Sequence, residues 1–67
     1  MDLEIGTAAG DVYRHLASNG AASISALKRA TGHKDTNVAL AIGWLAREEK
    51  VARRVDGRVT RWVLAET

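Results

Sequence analysis

Sixty-seven residues allow one domain, spanning 1–67, with one small core that alone gives marginal stability. The chain has no Cys, which excludes disulfides and thiolate metal sites and leaves self-association as the most available further support. The net charge of +2 is too small to dictate a partner class, no apolar run approaches the length of a membrane span, and the opening "MDLEIG" has neither the basic residues nor the apolar stretch of a signal peptide, so a soluble cytoplasmic protein without a membrane partner is expected.

The first segment, "IGTAAGDVYRHLASNG", predicts a helix from about Ile5 to Ser18. Ile5, Ala9, Val12 and Leu16 fall on one helical face, and Asn19-Gly20 supplies the stop, because both residues tolerate the left-handed conformation that closes a helix. Gly6 and Gly10 lie four apart inside this pattern, each costing about 1 kcal/mol against Ala, which suggests a close neighbour on that face.

Ala22 to Ile24 is too short for an independent strand but long enough to add an edge to a small sheet. Ser25 is the expected N-cap of a short second helix, Ala26 to about Thr31, with Leu27 and Ala30 inward and Lys28 and Arg29 in water. Gly32 closes it, and His33-Lys34 form the turn. Asp35 or Thr36 then caps a third helix that runs to about Glu49. Val38, Ile42 and Leu45, with Ala41 between, give its core stripe. Leu40, Trp44 and Arg47 form a neighbouring face, so the helix is apolar around well over half its girth.

The last segment, "VARRVDGRVTRWVL", places two β-branched runs around Asp56-Gly57, the strongest short-range hairpin signal. A two-residue type I′ turn at Asp56-Gly57 pairs Val55 with Arg58 and Val51 with Trp62. Val51, Trp62 and Leu64 then share the inward face with Arg53 and Thr60, while Arg54 and Arg61 point the other way beside Ala52, Val59 and Val63. Lys50, Arg53, Arg54, Arg58 and Arg61 stand here against Asp56 alone, a pattern that suits either a solvated hairpin or a patch for nucleic-acid phosphates.

Two helices joined by a tight Gly-containing turn make a helix-turn-helix, and the basic hairpin adds a wing. The expected fold is α+β: three helices, a short strand and a C-terminal two-stranded hairpin. On "IGTAAGDVYRHL", "SISALKRATG" and above all "VALAIGWLAREEKV", the chain resembles the winged helix-turn-helix superfamily. It is most similar to a family of small stand-alone bacterial and archaeal winged-helix proteins of unknown function. The resemblance implies a winged-helix fold and a homodimer; it carries over no catalytic or DNA-contacting residue.

Two functional readings compete for the third helix. In the first, the chain is a homodimeric protein-interaction module with Leu40, Trp44 and Arg47 in the interface, Trp being the residue type most enriched at hot spots. In the second, it is a DNA-binding transcriptional regulator that uses Lys34, Thr36 and Asn37 at the start of the helix and Arg53, Arg54, Arg58 and Arg61 on the wing. Base-reading side chains are scarce along the helix, where Ala, Leu and Ala follow Asn37 and Val38. Enzymatic activity is not expected. Asp11 and His15 lie at i, i+4 and suit a surface hydrogen bond, and His33 suits local backbone groups. No nucleophile–base pair, phosphate loop or metal-ligand spacing is present, and no cofactor or small-molecule ligand is implied.

Overall fold

The computed structural model describes residues 3–65, so Met1 and Asp2 of the opening "MDLEIG" lie outside the described residues. The elements are α1 (Leu3–Asn19), α2 (Ile24–Thr31), α3 (Asp35–Arg47), β1 (Val51–Asp56) and β2 (Val59–Leu64). Three helices followed by an antiparallel hairpin match the expected α+β winged helix-turn-helix arrangement.

The core forms where the three helical stripes meet. Ala8, Ala9, Val12 and Leu16 come from α1, Leu27 from α2, and Val38, Ala41, Ile42 and Leu45 from α3, with Ala22 and Val51 at the sheet end. The α3 stripe is the one that the 3.6-residue period predicts. On α1 the inward face is rotated slightly: Ala8 is fully buried, whereas Ile5 is only half-buried. Ala30, expected inward, is exposed, because α2 is too short to bury more than Leu27.

Helix ends account for most of the local differences. The N-cap of α2 is Ser23, not Ser25. Ser23 is extended (φ −75, ψ 165), and its Oγ accepts the Ala26 N–H at 3.1 Å, so the helix starts two residues early and Ser25 falls in its first turn. The N-cap position of α3 is Lys34, with no side-chain cap. Asp35 and Thr36 already belong to the helix, and the Asp35 carboxylate meets Lys28 Nζ at 2.9 Å instead of capping. An acidic residue in the first turn still suits the positive end of the helix dipole.

At its other end α3 stops at Arg47, two residues before the expected Glu49. The Glu49 N–H donates to the Ala46 carbonyl (3.0 Å) and the Lys50 N–H to the Leu45 carbonyl (2.9 Å). This bonding pattern is a Schellman motif, with Glu49 in the left-handed position at φ 60. A residue with a Cβ is disfavoured there by about 1–2 kcal/mol, and Gly returns about 0.5–1 kcal/mol of that as unfolded-chain entropy. Glu49→Gly is therefore expected to stabilise the fold by about 0.5–1 kcal/mol, read as a higher urea midpoint with an unchanged slope. A lower midpoint would contradict this origin of the helix stop.

The hairpin register is Val51↔Leu64, Arg53↔Trp62 and Val55↔Thr60 on one face, with Ala52↔Val63, Arg54↔Arg61 and Asp56↔Val59 on the other. Relative to the expected register, each partner is displaced by two residues. A two-residue shift preserves the faces, so the expected groups of side chains stay together. The cause is the turn. Gly57 has φ 62, whereas Asp56 and Arg58 are not in the positive-φ region, so Gly57-Arg58 form the turn, with Gly in the first central position as in type II′. The edge expected near Ala22 is a single bridge, with Ala22 and Trp62 exchanging two backbone hydrogen bonds (3.0 and 2.8 Å) that tie the wing to the helices.

Candidate interaction surface

α3 projects its residues in three directions. Val38, Ala41, Ile42 and Leu45 are buried. Asn37, Trp44 and Ala46 are half-buried at the flanks, and Asp35, Thr36, Ala39, Leu40, Gly43 and Arg47 are exposed. The outward face beyond the first residue thus consists of Thr36, Ala39, Leu40, Gly43 and Arg47. Leu40 is 50% exposed, one of few large apolar side chains left in water. Gly43 lies beside it in open space, where an added Cβ would meet nothing within 4 Å. Among the described residues nothing near Gly43 offsets the roughly 1 kcal/mol by which Gly is disfavoured against Ala in a helix.

Trp44 packs partly against the core, so its own chain covers it in part. Its remaining surface borders an open cleft between α1 and α3 that Gly6, Gly10 and Tyr13 line from the other side. At Gly10 an added Cβ would stand 3.3 Å from the Arg14 guanidinium, the movable end of a side chain one turn further along α1, so among the described residues no packed neighbour requires this glycine. Tyr13, 41% exposed, continues the apolar surface from Trp44 onto α1.

The nucleic-acid candidates are less united than their sequence positions suggest. Lys34 and Thr36 are exposed at the start of α3, but the Asn37 amide turns toward α1 and donates to Glu4 Oε2 at 3.4 Å. On the wing, Arg54 Nε and an Arg61 terminal nitrogen both donate to Asp56 Oδ2 (3.0 and 3.3 Å). A lone carboxylate therefore engages two of the four arginines. Arg53 lies on the opposite face, across from Trp62, and Arg58 sits in the turn. Neither forms an ion pair among the described residues.

The histidine contacts differ from those expected. His15 Nδ1 lies 3.3 Å from the Asn19 side chain rather than on Asp11. Asp11 instead joins Arg14 and, across 22 positions of sequence, His33. His33 Nε2 stands 2.7 Å from Asp11 Oδ2, and since an ionised carboxylate only accepts, the imidazole donates. The contact pins the turn between α2 and α3 onto α1. The hydrogen bond from His33, reinforced by Arg14, holds the Asp11 carboxyl below its ordinary value of 3.8. The ionised form is thus favoured in the folded state, and its contribution to stability is present at neutral pH. It is lost as the pH falls through 3.8 toward the lower folded value. Asp11→Asn is expected to lower the urea midpoint at pH 7, with the gap from the native chain narrowing below that range. A gap independent of pH would contradict the assignment.

Among the described residues, no three His, Asp or Glu side chains gather as a metal site, and no helix is long and apolar enough to cross a membrane. Residues 1–64 match a family model described as a winged helix-turn-helix domain (DUF2582). The chain is also 39% identical over 64 residues to the uncharacterized protein MJ1608 of Methanocaldococcus jannaschii, covering 91% of this chain and 87% of that protein. No solved structure matches it significantly.

Proposed function

The chain belongs to this family of winged helix-turn-helix domains, and from that premise we propose that it acts as a homodimeric protein-interaction module, joined through the outward face of α3. The observation that carries this reading is the makeup of that face. Across the middle of the helix, where a DNA-reading helix offers Arg, Asn or Gln to base edges, this one offers Ala39, Leu40 and Gly43. Leu40 and the uncovered part of Trp44 form an apolar patch with Tyr13 beside it. Burying one large apolar side chain contributes about 1.5–3 kcal/mol before the costs of association.

A second reading, duplex DNA binding, draws support from the exposed Lys34, Arg53 and Arg58. It demands that the start of α3 and the wing stay free, so the two readings compete wherever an interface covers Lys34, Thr36 and Asn37. As a dimer, the native chain should have twice the mass of one chain in sedimentation equilibrium, and Leu40→Glu should return it to one while keeping native helicity. As a DNA reader, the native chain should bind mixed-sequence duplex with an affinity that falls steeply with salt, and replacing Arg53, Arg54, Arg58 and Arg61 should flatten that slope. An unchanged dimer mass in Leu40→Glu would remove α3 from the interface.

A further inference from the structure

Thr36, Leu40, Gly43 and Arg47 follow one another along α3 at intervals of four, three and four residues, and all four are exposed. This is the spacing of a coiled-coil seam. It is also palindromic: turning the helix end for end maps Thr36 onto Arg47 and Leu40 onto Gly43. We infer that two copies of the chain pair α3 against α3 in antiparallel fashion about a two-fold axis, each Leu40 seating over the partner subunit's Gly43. This geometry rests on the dimer reading above.

Three observations support it. Gly43 has open space where a side chain would stand, and Ala is the better helix former. A gap that the chain does not itself use fits the close approach of a second helix. Leu40, three residues away on the same face, is the exposed apolar knob such a gap would receive. A two-fold contact needs knob and hole on one surface, because each patch must meet its own copy. Finally, the charge on the seam favours one of the two orientations. Arg47 ends α3 and carries the charge of the seam, whose other members are Thr36, Leu40 and Gly43. In the antiparallel arrangement each Arg47 lies beside the partner's Thr36, a neutral residue. In a parallel one, Arg47 would face Arg47. The 13-residue helix alone is short for a standard interface, which buries about 1,200–2,000 Å². Tyr13 and Trp44, which line the cleft on the flank of α3, offer the further area that such a dimer needs.

The absence of native Cys allows a clean test. Thr36→Cys and Arg47→Cys are prepared separately, mixed in equal amounts and oxidised. The mixed disulfide should dominate, because the seam sets position 36 against the partner's 47, while like positions are separated by about 16 Å along the axis, beyond disulfide reach. Gly43→Leu should abolish the dimer without loss of helicity, since the monomer has room for the side chain. A native dimer that forms 36–36 or 47–47 disulfides instead, or that survives Gly43→Leu, overturns this geometry and leaves the dimer reading standing. A monomeric native chain overturns both.

Discussion

Leu27→Ala is expected to remove about 2–5 kcal/mol of stability, the range for emptying a fully buried Leu site. Leu27 is the only buried side chain of α2, and it is 0% exposed. α2 is eight residues long, too short to persist without tertiary support, and Leu27 anchors it in the core. A domain of this length has about 3–10 kcal/mol in total at typical per-residue values, so the substitution should leave a large unfolded fraction. Urea titration followed by circular dichroism measures it. A loss below about 1 kcal/mol would mean that capping by Ser23 and the Lys28–Asp35 ion pair, rather than core packing, hold α2 in place.

Trp44→Glu is expected to weaken self-association by about 30- to 1,000-fold, matching the 2–4 kcal/mol of a typical hot spot. Trp44 is placed for this role by being half covered. Its packed portion against the core fixes the ring, and the rest remains available at the α1–α3 cleft beside Leu40. The substitution removes the ring's apolar contact and places a carboxylate, hydrated in the monomer, in a surface that association dries, although Arg14 and Lys50 line the same cleft. Because part of the ring packs within its own chain, the variant should also lose some stability. Sedimentation and urea titration on the same sample separate the two effects. A dimer unaffected by Trp44→Glu, in a sample that remains folded, would confine Trp44 to the fold.

What the sequence discloses depends on the range of the interactions involved. Val38, Ile42 and Leu45 are legible because helical periodicity repeats within a dozen residues. The two faces of the wing are legible for the same reason, alternation being local. The register is not, because Asp56-Gly57-Arg58 fits either a turn centred on Asp56-Gly57 or one centred on Gly57-Arg58. Only the sign of φ on either side of Gly57 decides between them. Ser25 is expected as the cap because it precedes the apolar pattern, whereas the extended backbone that makes Ser23 the cap is visible only in the fold. The Asp11–His33 contact is hidden for another reason. Its members are 22 residues apart, while His15 presents a local partner that Asp11 does not take. At the candidate surface, Leu40 and Trp44 stand out in the sequence as apolar residues off the core stripe. Gly43 does not, since its meaning depends on the empty space around it.

The wing arginines show a similar limit. Four arginines within nine residues suggest one cationic patch, yet strand alternation sends Arg53 to the opposite face, and Asp56 holds Arg54 and Arg61. Charge counted along the chain overstates the charge presented on one side.

Sedimentation equilibrium of the unmodified chain over a concentration series reads self-association through α3 without any substitution. A species of twice the 7.2 kDa chain mass, dissociating on dilution, is expected. A single mass of 7.2 kDa throughout the micromolar range would contradict it and leave the outward face of α3 free for another partner.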